Sequence, residues 1–185
     1  MQNFIMKKNL LFLLLILVPF IMNAQDDALA EVPNLPLDDE GKIRYKEVVQ
    51  EDATQKDLFK RCIKWINKEY KNPATVTPTR DMVNGKIVIA HTFRLKNTLE
   101  SGTSVNAGTV MYNMTIRFKD GRYRVEMTDF VSKKASRTPA EKWLDKTNAA
   151  YNPEYAKQID IFAKEKLESL KAGMQPAKVY KEEEW

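Results

Sequence analysis

Asn113-Met114-Thr115-Ile116-Arg117-Phe118-Lys119-Asp120-Gly121-Arg122-Tyr123-Arg124-Val125-Glu126-Met127-Thr128 is the stretch on which the fold turns. Asp-Gly between two alternating runs is a strong tight-turn signal, because the pair suits the positive φ angles of a two-residue hairpin loop. With Asp120 and Gly121 as the loop, Lys119 faces Arg122 and Phe118 faces Tyr123. Arg117 then faces Arg124, Ile116 Val125, Thr115 Glu126, Met114 Met127, and Asn113 Thr128. Opposed residues share a face. One face therefore carries Phe118, Tyr123, Ile116, Val125, Met114 and Met127, and the other Arg117, Arg124, Thr115, Glu126, Asn113 and Thr128. A slip of one residue would destroy this segregation. The apolar face needs a cover, and the polar face can meet water, as antiparallel sheets allow.

The strands on either side extend the pattern. Ile87, Ile89, His91, Phe93 and Leu95 alternate with Val88, Ala90, Thr92 and Arg94, which predicts a strand of period two. Asn97 to Gly108 is polar, with Gly102 and Gly108, and reads as a long hairpin loop. Thr109 to Phe118 and Tyr123 to Val131 are the next two strands. Lys42 to Glu51 is the first strand of the domain. Asp129 stands where the last strand is ending, which suits a turn or capping role.

Two helices supply the cover. Thr54-Gln55-Lys56-Asp57 has the capping-box spacing. Leu58, Phe59, Cys62, Ile63, Ile66 and Tyr70 follow at intervals of three and four, one apolar stripe with Trp65 at its edge. Asn72-Pro73 stops that helix. Asn152-Pro153 reads as an N-cap and first helical position. Tyr155, Ile159, Phe162, Ala163, Leu167 and Leu170 form the second stripe, which Gly173 ends. A short helical turn around Ala140 to Leu144 carries Trp143. The fold class that results is α+β: an antiparallel sheet of about four strands with two main helices on one face, in the order β-α-β-β-β-α.

The beginning of the chain predicts export. Lys7 and Lys8 precede a 13-residue apolar run from Leu10 to Met22, then Asn23-Ala24-Gln25 and the acidic pair Asp26-Asp27. Charge, apolar core and small residue in that order form the signal-peptide pattern, and a spanning helix needs about 20 residues. The predicted division is 1–25 signal peptide, 26–41 extended leader, 42–172 a single α+β domain, and 173–185 a flexible polar tail. No transmembrane anchor remains after cleavage. The expected location is periplasm, cell surface or medium. Loss of Lys7 and Lys8 lowers the formal charge from +5 to +3, too mild to imply nucleic acid.

Single copies of reactive residues limit the chemistry. Cys62 is the one cysteine, so no internal disulfide forms, and its place in the apolar stripe makes it a small buried hydrophobe. His91 is the one histidine, on the more apolar face of its strand, and reads as a packed residue. One His and one Cys cannot build a structural zinc site. The expectation is no catalytic residue, no metal and no cofactor.

Four pieces resemble a family of exported bacterial proteins, a domain of unknown function with a TBP-like fold. They are the opening strand; Asp57-Leu58-Phe59 through Lys64-Trp65-Ile66; Gly85-Lys86-Ile87-Val88; and Ile116 to Arg124. The resemblance spans roughly residues 42 to 132, and its last piece is the most specific. It implies the same β-α-β-β-β-α layout with helices on one face. It brings no activity, substrate or cofactor, and a fold does not carry function.

The favoured functional expectation is a non-enzymatic binding or interaction module of the cell envelope. Its polar sheet face would take an anionic group through Arg94, Arg117, Arg124 and Glu126, since guanidinium forks suit carboxylate, phosphate or sulfate. The partner is an unidentified envelope ligand or protein. An exposed edge strand could also pair with its own copy, so a homodimer is open. The alternative is a small secreted or periplasmic hydrolase-type enzyme using carboxylates such as Glu126 and Asp129.

Overall fold

The computed structural model describes residues 33–133 and 136–176. The predicted signal peptide and most of the predicted tail lie outside these residues. The sheet has six strands, not the expected four: β1 (Tyr45–Gln50), β2 (Thr79–Asp81), β3 (Lys86–Thr98), β4 (Ser104–Lys119), β5 (Arg122–Lys133) and β6 (Arg137–Pro139). Their order is β1-β5-β4-β3-β2, with β6 also on β5, and every pairing is antiparallel. The two unexpected strands hold three residues each, too few to display any periodicity. The helices are α1 (Gln55–Glu69), the single turn α2 (Pro73–Val76) and α3 (Pro153–Met174), with a 3-10 turn over Ala140–Trp143.

The hairpin register is the expected one at all seven pairs, from Lys119 opposite Arg122 to Asn113 opposite Thr128. Its loop differs in detail. Gly121 has φ 76°, whereas Asp120 stays at negative φ. Contacts with the start of α1 shape this turn. The Asp120 carboxylate accepts from Gln55 N at 2.7 Å, and Gly121 N donates to Ala53 O at 2.9 Å. The neighbouring hairpin is also tighter than expected. Asn97 and Gly108 are not the ends of a loop, because pairing runs on to Thr98 opposite Ser104. Polar side chains at a sheet margin leave the backbone ladder free to continue.

Beyond Asn113 and Thr128 the register of β4 and β5 shifts, so Asp129 and Phe130 together oppose Tyr112. This is a β-bulge. Asp129 takes φ 57°, and its carboxylate accepts from Asn113 Nδ2 at 2.9 Å and Thr128 Oγ1 at 3.0 Å. The bulge re-aims the strand, and Phe130 and Ser132 become buried. Asp129 thus sits inside a strand, not at its end.

The core lies between the sheet and α1 with α3. Leu58, Phe59, Cys62, Trp65 and Ile66 of α1 are buried, as are Tyr155, Ile159, Ala163, Leu167 and Leu170 of α3. They meet Ile87, Ile89, Met114, Ile116, Val125 and Met127, which have no exposed area. Both long helices carry the predicted caps: Thr54 Oγ1 accepts from Asp57 N, and Asn152 Oδ1 from Tyr155 N. Leu35, in the stretch read as a leader, is buried with this core, and Met174 closes it at the other end. Among the described residues no helix is long and apolar enough to cross a membrane.

Candidate functional site

The face of the sheet away from the helices is built by parity. On β4 and β5 the residues between the buried ones point outward, and the registers then align them across strands. One row runs Val48, Arg124, Arg117, Lys86, Asp81 over five strands. A second runs Gln50, Arg122, Lys119. A third runs Lys46, Glu126, Thr115, Val88, Thr79. Five cations of the first two rows therefore share one corner of the face. An open depression of about 380 Å³ lies there, lined by Val48, Arg117, Lys119, Arg122, Tyr123 and Arg124.

Glu126 is the anion within reach of this corner. Its side chain is 14% exposed and stands between two arginines. Arg44 Nη2 donates to Oε2 at 3.0 Å. Arg124 Nε lies 3.0 Å from Oε1, but that contact is an ion pair without hydrogen-bond alignment, and Oε1 has no hydrogen-bond partner among the described residues. Because Nε is the atom engaged, both terminal nitrogens of Arg124 remain open. Arg117, Lys119 and Arg122 form no ion pair with any described residue. Lys86 is flanked by Asp81, whose exposed carboxyl is held below the usual range chiefly by hydrogen bonds from Asn84.

Of the four residues the sequence nominated, three come together here. Arg117 and Arg124 face each other and Glu126 adjoins them. Arg94 shares the face but stands eight residues along β3 from Lys86, opposite Thr109. At about 3.3 Å per residue that is roughly 26 Å, outside the corner. Lys86, Lys119 and Arg122 were not nominated. For Lys119 and Arg122 the signal was present, since the hairpin register puts them beside the arginine pair. Lys86 needed the β3–β4 register, which the misread loop concealed.

The other candidates have structural surroundings. His91 is on the helix side, its ring 5.2 Å from that of Tyr70. Burial and then Lys166 lower its pKa. Cys62 is fully buried, and burial pushes its thiol up. The carboxylates of the enzyme alternative are engaged, Glu126 by arginines and Asp129 by Asn113 and Thr128. Among the described residues no three of His, Cys, Asp and Glu are placed to hold a metal.

Residues 45–133 match the model of a family described as Domain of unknown function (DUF4468) with TBP-like fold. Over these residues the chain is similar to that family. Two solved structures are similar to this chain. A TBP-like protein from Parabacteroides distasonis ATCC 8503 is 17% identical, with TM-score 0.63 over 77% of this chain and 98% of that one. A DUF4468 family protein from Bacteroides ovatus ATCC 8483 is 16% identical, with TM-score 0.65 over 78% and 92%. At such identity they establish the fold alone. No curated protein matches the sequence. The cationic corner lies wholly within the DUF4468 match, on β1, β3, β4, β5 and their turns.

Proposed function

We propose that the domain is a binding module that captures an anionic group on the open face of its sheet. The carrying observation is the row Lys86, Arg117, Arg124 with Lys119 and Arg122 beside it, five cations that share the open face with Glu126 and Asp81, while the Asp120 carboxylate of the turn is held by Gln55 N. Like charges directly opposite cost stability, and Arg117 forms no ion pair with any described residue to offset it. An oxyanion would neutralise it, and guanidinium forks match oxyanion geometry. Val48, 53% exposed at the end of the row, gives the depression an apolar margin for the body that carries the charge. The signal-like N-terminus supports a ligand of the cell envelope.

Titration by nuclear magnetic resonance with phosphate, sulfate and succinate tests this reading. The expected result is shifts confined to the hairpin, weakening as salt rises because the cations are exposed. A variant carrying Arg117→Ser and Arg124→Ser should lose them and keep its circular dichroism spectrum. Shifts that survive the double substitution, or none in the parent with any of the anions, would sink the proposal.

A further inference from the structure

We infer that the group this corner takes is a phosphate monoester in its doubly charged form. The inference rests on the anion-binding reading above and specifies its ligand. Size comes first. Neighbouring strands are about 4.8 Å apart and residues two apart on a strand about 6.6 Å. The backbone footprint from Lys86 to Arg124 and from Arg117 to Lys119 is therefore about 10 Å by 7 Å, room for one compact group.

Charge comes second. Five cations, Lys86, Arg117, Lys119, Arg122 and Arg124, stand against two carboxylates among the described residues of these rows. Glu126 is shared by Arg44 and Arg124, and Asp81 borders Lys86 from β2. Lys46 of β1 adds a further positive charge opposite Glu126. A carboxylate or sulfate ester, each a single negative charge, leaves most of this excess in place, whereas a phosphate monoester near pH 7 brings almost two charges.

Donor geometry comes third. Arg124 offers its two terminal nitrogens, since Nε is turned to Glu126. Arg117, directly opposite, offers its whole fork. Two forks on directly opposed residues of adjacent strands carry more donors than a carboxylate's two oxygens can take, and a phosphoryl group has three terminal oxygens. The organic part of the ester can leave past Val48.

The pH dependence separates the classes. A phosphate monoester gains its second charge near pH 6, while a sulfate ester keeps one charge throughout. No histidine stands on this face, because His91 lies on the helix side against Tyr70. Binding that strengthens between about pH 5 and pH 8 therefore reports the ligand's ionisation.

The test is calorimetry of the protein with methyl phosphate and methyl sulfate at both pH values. Methyl phosphate should gain about tenfold in affinity on going to the higher pH, as its second proton leaves near pH 6. Methyl sulfate should bind more weakly and show no gain. Equal affinities, or a methyl phosphate affinity indifferent to pH, would overturn the monoester while leaving anion binding intact. Loss of dependence on Arg117 and Arg124 for both probes would instead remove the anion site itself. Vesicles of phosphatidylcholine with phosphatidic acid, against vesicles with phosphatidylglycerol, distinguish a lipid headgroup from a soluble ester. Preference for the phosphatidic acid vesicles identifies a lipid monoester. Binding of methyl phosphate without vesicle binding identifies a soluble one.

Discussion

Arg117 and Arg124 are opposed across an antiparallel pair, and of these two Glu126 engages Arg124 alone. Replacing Arg117 with Thr should raise the melting temperature slightly, by roughly 0.5 kcal/mol of relieved repulsion, while weakening anion binding. Thermal melts beside the titration check both signs, and a fall in stability would mean that Arg117 serves the fold. Gly173 carries a second prediction. It was expected to end its helix, yet α3 continues through Met174. A β-carbon at 173 would stand 2.7 Å from Trp65 Cγ, so the glycine is there to admit the indole. In an open helix Gly→Ala stabilises by about 1 kcal/mol. Here Gly173→Ala should destabilise, at an overpacking cost of about 1 to 3 kcal/mol. Denaturant melts decide the sign. Glycine in the last turn looks the same in a sequence whether it stops a helix or makes room for a neighbour, which is why this role was not legible.

The β4–β5 hairpin was readable because turn chemistry and period-two alternation are local. Its bulge was not, since Asp129 and Phe130 share one partner only once Tyr112 is in place across the ladder. Asp129 tolerates φ 57° better than a branched residue does, and its carboxylate ties Asn113 and Thr128 together. Asp129→Val should cost roughly 1 to 2 kcal/mol, the penalty of the left-handed region for an ordinary residue, and Asp129→Gly less. If the two variants melt alike, the bulge does not depend on backbone conformation. The cap of α3 was legible from Asn152-Pro153. Asn152→Ala should lower stability by about 1 kcal/mol, measurable by urea unfolding, because Tyr155 N would lose its acceptor. Strands of three residues such as β2 and β6 leave no such trace, for they exist only as partners of β3 and β5.

The molecule as a whole should be sensitive to alkali. Burial raises the phenols of Tyr112 and Tyr123 to about 12 from the ordinary 10. The folded state keeps protons there that the unfolded state releases, so this stability is whole below pH 10 and is lost as pH rises from 10 toward 12. The melting temperature should fall across that window, and tyrosinate absorbance should appear in step with unfolding. Free titration of all tyrosines near pH 10 in the folded protein would contradict the burial. By itself the sequence determined the hairpin and its register, the two amphipathic helices with their caps, and the division of the sheet into an apolar and a polar side. Each follows from residues close together in the chain. The tertiary structure alone decided that Lys86 joins Arg117 and Arg124 in one row, that Arg94 falls outside it, and that Asp129 makes a bulge. Those outcomes depend on which distant segments pair and in what register, and that is settled by packing the whole core at once rather than by any local pattern.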